Sequence, residues 1–228
     1  MRRKGSLVKI VCYGLLATLA ISYGLLLRQS LFATFIAFHL VVCIGIPLIH
    51  GWWEGALRKN WKMAWGEQSF STTGLFVGII SGVCMGTIAV WGIWMLLQSG
   101  ISIPWIQLQL EHWGLREQWA WLFAAYMVIG NSLMEELFWR GFVQQRLSAI
   151  LPRVTVIFLS NTLFALYHLL LGIVLFGWKW GSVATVAVFG AGTIWGWMKN
   201  RYPTIYPTWF SHLLADAGIM SALFLWIY

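Results

Sequence analysis

Seven apolar runs divide the chain, near residues 7–27, 31–50, 72–97, 119–147, 153–176, 181–198 and 203–227. Most are close to the roughly 20 residues that a helix needs to cross the hydrocarbon core of a bilayer. Lipid offers no partner to a backbone N–H or C=O, so each such run must satisfy its polar backbone internally, as a helix does. The pattern predicts an all-α, polytopic transmembrane bundle of about seven helices, with residues 98–118 holding an eighth that is partial or interfacial. Composition agrees. At 60% hydrophobic, 10% charged and 17 Trp, with a mean hydropathy of +0.75, the chain lies outside the range of soluble domains. With no internal repeat, low-complexity tract or dividing linker, residues 1–228 read as a single integral membrane domain.

The net charge of +8 comes with no nucleic-acid-binding motif. Its distribution speaks for orientation instead. Placing the N-terminus in the cytoplasm puts Arg2, Arg3, Lys4, Lys9, Arg58, Lys59, Lys62, Arg140, Arg146, Arg153, Lys199 and Arg201 inside, against Arg28, Arg116 and Lys179 outside. The first run follows a basic start and ends without a small-residue cleavage site, as in a retained signal-anchor. Trp52, Trp53, Trp61 and Trp65, set among basic residues in 51–70, suit a stretch lying in the cytoplasmic interface, and Trp105 and Trp113 suit the outer one. Cys12, Cys43 and Cys84 are odd in number, lack metal-ligand spacing and read as small packing residues. Gly74, Gly78, Gly82 and Gly86 recur at four-residue spacing, a flat face for close helix packing, and Gly192 and Gly196 repeat it in short form.

Of the seven acidic residues, Glu54, Glu67, Glu111 and Glu117 fall in polar connections. Glu135, Glu136 and Asp216 interrupt apolar runs, where ionisable groups are costly and point to function. On a helix Ser132, Glu136 and Arg140 form one column, with Asn131 and Glu135 beside it. Phe164 and His168 are four residues apart in the fifth run, with Asn161 along that side, and Thr208, His212 and Asp216 are stacked in the seventh. Each alone has a structural reading: an ion pair for Glu136 and Arg140, a packing clasp for His212 and Asp216, a hydrogen-bonded helix contact for a membrane histidine. His39, His50 and His112 stand apart from the acidic residues and read as interfacial or incidental.

Depth brings the polar positions together. Taking Arg146, Arg153 and Arg201 as a basic ring, Glu135 and His212 each lie 11 residues in and His168 lies 15. At about 1.5 Å per residue this corresponds to roughly 16–22 Å along the helices. This alignment requires the fourth helix to continue past Arg140. A carboxylate in a poorly solvated place gains proton affinity, which suits a general acid or base. Two imidazoles can hold a metal or stabilise an oxyanion. No serine or cysteine stands in a nucleophile motif, so attack by water is favoured over an acyl-enzyme.

These residues resemble the CPBP family of intramembrane endopeptidases, which includes the CAAX prenyl protease and the Abi or bacteriocin-processing proteins. Its EExxxR, FxxxH and HxxxN motifs correspond to Glu135-Glu136-Leu-Phe-Trp-Arg140, Phe164-Ala-Leu-Tyr-His168 and His212-Leu-Leu-Ala-Asp216. The likeness covers residues 119–228. It implies a hydrolase in which Glu135 activates water, Glu136 pairs with Arg140, and His168 and His212 assist the water and polarise the scissile carbonyl. Asp216 stands where the family usually has Asn, so it must be protonated, orient His212 or bind a metal. Glu135, His168, His212 and Asp216 would form a plausible Zn2+ set. The implied substrate is a membrane-associated or lipidated protein or peptide, and the expected setting is a prokaryotic inner (plasma) membrane. Two other readings stand beside this one. One is a non-catalytic binding or bacteriocin-immunity-type membrane protein that keeps the pocket for recognition. The other is a proton-coupled transporter using Glu135 and Asp216, which lacks the internal repeat such folds commonly carry.

Overall fold

The computed structural model describes residues 2–66 and 70–228, with side chains from Ser6 onward. Arg2, Arg3, Lys4 and Glu67, used above in reading the charge pattern, have side chains outside that description. The described residues form a helical bundle without strands. Five helices are long and apolar enough to cross a membrane: Ser6–Leu27, Leu31–Trp53, Thr72–Gln98, Arg153–Arg201 and Tyr206–Ile227. We label the first two α1 and α2. The short helix Leu57–Trp65 is α3, Thr72–Gln98 is α4, and Ile103–His112 is α5. The last is the partial helix expected within 98–118.

A continuous helical rod, α6, runs through residues 120–148. It carries Glu135, Glu136 and Arg140 within its length, as the depth alignment required. Two π-helical stretches, Met127–Asn131 and Trp139–Gln144, bracket the α-helical Ser132–Phe138 that holds the two glutamates. Each wider turn rotates the side chains that follow relative to an ideal helix, an effect that residue spacing alone does not reveal.

As a straight rod, the 49 residues of Arg153–Arg201 would extend about 74 Å, more than twice the roughly 30 Å hydrocarbon thickness. The rod is broken at Gly177, where φ of 74° and ψ of 171° reverse the chain. Residues 153–176 (α7) and 178–201 (α8) thereby fold back on each other. Gly172 and Gly181 make this close approach possible, since a Cβ on Gly181 would sit 2.5 Å from the Gly172 carbonyl carbon. The last helix, α9, begins at Tyr206 with Pro207 in its first turn, where a missing N–H costs nothing, and ends at Ile227 after a π-helical turn.

The glycine stripe is a packing face. Helices α4 and α9 run parallel in contact, and a Cβ on Gly78 would lie 2.3 Å from the Pro207 carbonyl oxygen. A Cβ on Gly82 would come within 2.8 Å of Ser211 Cα, and one on Gly218 within 2.4 Å of the Gly86 carbonyl oxygen. Backbones this close gain dispersion contacts that lipid cannot match. The tight contact also holds α9, and with it His212 and Asp216, in a defined position.

At one end of the bundle α3 is tied to the α8–α9 connection. Thr204 Oγ1 donates to the Trp65 carbonyl at 2.8 Å, and Gly141 of α6 leaves room for Ala64. Trp52, Trp53 and Trp61 are exposed there, as an interfacial stretch requires. At the other end Trp105 is exposed and donates to the Val174 carbonyl. Trp113, expected beside it at the interface, is instead buried in the core. Its carbonyl accepts the Leu31 N–H at the start of α2, a contact between residues 82 positions apart that local pattern does not reveal.

Candidate active site

Helix α6 directs Glu135 and Glu136 inward, and both are buried. Burying two adjacent carboxylates demands compensation, and the two receive it unequally. Glu136 Oε1 accepts from Arg140 Nη1 at 2.9 Å, one turn along the helix, and from His212 Nδ1 at 3.1 Å. Glu135 makes its nearest cationic approach at 3.7 Å, from Oε2 to His212 Nε2, too long for a hydrogen bond. Oε2 of each glutamate is buried without a hydrogen-bond partner. Glu136 is thus held through Oε1 alone, while Glu135 is met by its nearest cation only at 3.7 Å.

Arg140 is 1% exposed, and both of its terminal nitrogens are engaged. Besides Glu136 it donates from Nη2 to Asn161 Oδ1 at 3.4 Å and to the Gly192 carbonyl at 3.2 Å. The guanidinium also lies 4.8 Å from the Phe164 ring centroid and 5.1 Å from that of Trp195. Here the short glycine pair has its purpose. A Cβ on Gly192 would come within 3.3 Å of Arg140 Nη2, and the Gly196 carbonyl accepts from Gln144 at 2.9 Å. The two glycines expose backbone carbonyls to the polar side of α6.

His212 is clamped. Its ring stacks on Trp195 at 4.2 Å, with 20° between the planes, and Trp195 Nε1 is itself anchored on Ser211 Oγ at 2.9 Å. With Nδ1–H donated to Glu136, Nε2 faces Glu135 Oε2 and, at 3.6 Å, Asp216 Oδ1. Two carboxylates from different helices therefore converge on one nitrogen.

Asp216 is in turn positioned by Asn131 of α6, which is itself held from α2. Asn131 Nδ2 donates to Asp216 Oδ2 at 3.2 Å, and Asn131 Oδ1 bonds to His39 Nε2 at 3.0 Å. His39 is 1% exposed, and its Nδ1 bonds to the Tyr126 hydroxyl. A tyrosine proton given to Nδ1 leaves Nε2 as the donor, which fixes the Asn131 amide with its NH2 towards Asp216. His39 is therefore an interior member of the polar network, not an interfacial or incidental residue. Its only sequence signal was a histidine in the middle of an apolar run.

His168 is placed differently from the rest. Its Nδ1 is committed to the Phe164 carbonyl at 2.9 Å, leaving Nε2 available. The ring packs on Tyr167 at 4.3 Å and Phe164 at 4.7 Å, and Phe164 meets His212 edge-on at 6.2 Å. The structure thus joins Glu135, Glu136, Arg140, His212 and Asp216 in one connected cluster, and His168 reaches it through the Phe164 ring.

All of these motif residues fall within one stretch that matches a known family. Residues 117–218 match the sequence model described as type II CAAX prenyl endopeptidase Rce1-like. Over this segment the chain is similar to the CPBP/CAAX protease family. The match supports CAAX-type intramembrane endopeptidase activity in general, and together with five helices apolar enough to span a bilayer it supports an integral membrane protein. Comparison with curated proteins and with solved structures returned no match.

Among the described residues no three His, Cys, Asp or Glu side chains are grouped to hold an ion. Glu135 and Asp216 both address the same His212 nitrogen, and His168 Nδ1 is engaged by backbone. The Zn2+ set of Glu135, His168, His212 and Asp216 does not fit this arrangement, and no step below is routed through a metal.

Proposed function

We propose that the protein is an intramembrane endopeptidase that hydrolyses a peptide bond of a membrane-associated or lipidated protein or peptide by glutamate-activated water. The observation carrying this reading is Glu135, buried with Oε2 3.7 Å from His212 Nε2 within a bundle of apolar helices, beside a Glu136 whose Oε1 is bonded to both Arg140 and His212. The carboxylate without those two bonds is the one able to accept a proton.

In the proposed reaction Glu135 takes a proton from water as the oxygen adds to the scissile carbonyl carbon. It later delivers that proton to the departing amide nitrogen, so the carboxylate is regenerated. His168, with Nδ1 engaged by Phe164, offers Nε2 as acceptor for the second water proton, which it returns to the released amine as the C–N bond breaks and the carboxylate product forms. His212 donates from Nε2 to the developing oxyanion, held in plane by Trp195 and at Nδ1 by Glu136. Asp216, held by Asn131, orients His212 and balances the charge it carries. Arg140 keeps Glu136 ionised and unavailable for the chemistry. The setting we infer is a prokaryotic inner membrane.

The test uses the purified full chain in lipid and a reporter peptide with a prenylated C-terminal CAAX sequence. Glu135→Gln should fold as wild type and lose about 10²–10⁴-fold in rate, the range for removal of a general base. Full cleavage by a folded Glu135→Gln or Glu135→Ala variant ends the proposal.

A further inference from the structure

A cavity of about 910 Å³ lies at the end of the bundle where α3, the last turns of α6 and the last turn of α8 meet. Five of its lining side chains are cationic: Arg58, Lys59 and Lys62 from α3, Arg140 from α6 and Lys199 from α8. Among the described residues no Asp or Glu lines it. Glu136 offsets Arg140 on the inner side of the helix, so of the five cations Arg140 adds little to the charge offered to the cavity. The cations are graded in depth, from the exposed rim formed by Arg58, Lys59 and Lys62 to the fully buried Arg140.

Helix α3 also marks the level at which this cavity opens. Its cations face the cavity, while Leu57, Trp61 and Trp65 line a separate, largely apolar cleft of about 270 Å³ on the other side of the helix. Trp52 and Trp53, just before it, are exposed. Aromatic rings beside lysines and arginines hold an element at headgroup depth, with rings towards acyl chains and charges towards phosphates. The cavity is far larger than an inorganic anion, and basic pockets between membrane helices suit lipid headgroups.

We propose that this cavity is a binding site for the headgroup of an anionic phospholipid. The phosphate sits among Arg58, Lys59 and Lys62, and the rest of the headgroup extends towards Lys199 and Arg140. Arg140 is shared with the peptidase cluster, but the rim residues Arg58, Lys59 and Lys62 take no part in the proposed chemistry, so lipid retention and peptide cleavage can fail separately.

The experiment reconstitutes the full chain in nanodiscs of phosphatidylcholine with added phosphatidylglycerol and counts retained lipids by native mass spectrometry. Wild type should retain phosphatidylglycerol in preference to phosphatidylcholine. The exposed triple variant Arg58→Ala/Lys59→Ala/Lys62→Ala should hold it about a hundredfold more weakly, from about 1 kcal/mol per cation at 1.4 kcal/mol per tenfold. Lys179→Ala, at the opposite end of α8, should leave retention unchanged. If the triple variant fails to fold, Lys59→Glu alone should weaken retention about tenfold or more, since it removes one attraction and adds a repulsion. Equal retention of both lipids, an unaffected rim variant, or loss on Lys179→Ala would each overturn the proposal. Displacement of phosphatidylglycerol by inorganic phosphate at equal concentration would also overturn it, showing a site for free anions.

Discussion

Replacing Arg140 by methionine keeps the length of the side chain and removes its charge, leaving Glu136 ionised in a site with 0% exposure. What remains is one bond from His212 Nδ1, together with the emptied acceptors Asn161 Oδ1 and the Gly192 carbonyl. Breaking a buried ion pair from one side costs about 3–5 kcal/mol, because the surviving charge has neither water nor partner. Loss of the guanidinium from the faces of Phe164 and Trp195 adds about 0.5–2 kcal/mol. The expected destabilisation of 3 kcal/mol or more is over a hundredfold in the unfolding equilibrium at 1.4 kcal/mol per tenfold. The assay is resistance to graded denaturing detergent, followed by tryptophan fluorescence. A companion variant, Glu136→Gln/Arg140→Met, removes both charges, and most of the stability should return, since a neutralised pair leaves no orphan ion. Activity should stay low in the double variant, because Glu136 also holds His212 in place. An Arg140→Met protein as stable as wild type, or a double variant no better than the single one, would refute the assignment of this pair as a mutually dependent buried couple.

The other predictions follow from contacts elsewhere in the bundle. Gly82→Ala should cost about 1–3 kcal/mol, the usual range for overpacking, because its Cβ would press on Ser211 backbone at 2.8 Å; Gly92→Ala, with nothing within 4 Å, should be neutral. Thermal stability of the two variants side by side checks this, and equal losses would contradict the packing-face reading. His39→Ala should lower kcat by up to about a hundredfold with little change in KM, by letting Asn131 and Asp216 shift. His39→Gln, which keeps a donor, should recover part of the loss, and an unaltered kcat in His39→Ala would remove His39 from the network that positions Asp216. Outside the spans, partial burial works to raise the Glu54 carboxyl, but the Arg146 and Asn60 hydrogen bonds outweigh it and hold it below the ordinary glutamate range. A depressed value makes this contribution complete above the unfolded pKa and lost as the pH falls through the folded one. Glu54→Gln should therefore lower stability near neutrality and flatten the acid limb of a stability-versus-pH curve, the two proteins converging at low pH.

The family's three motifs were legible in the sequence because charge inside an apolar run is rare enough to stand out singly. Glu135, Glu136 and Arg140 could be placed on one helix, and their depth matched to His212, by counting residues at a fixed rise. The extra helix at Ile103–His112 and the packing role of the glycine stripe were open to the same local reasoning. His39 and Trp113 were not. Each acts through residues that are distant in the chain: His39 through Asn131, 92 positions away, and Trp113 through the start of α2.

Local pattern by itself determined that this chain must be a helical membrane bundle with a few costly polar side chains in its later helices. Periodicity and hydropathy act within one segment, and the bilayer leaves such a segment few choices. Tertiary structure alone decided how the two adjacent glutamates stand to His212. Glu136 meets Arg140 on its own helix, as their spacing predicts, but only the packing of α9 against α6 brings His212 Nδ1 to within 3.1 Å of Glu136 Oε1 and leaves Nε2 3.7 Å from Glu135 Oε2.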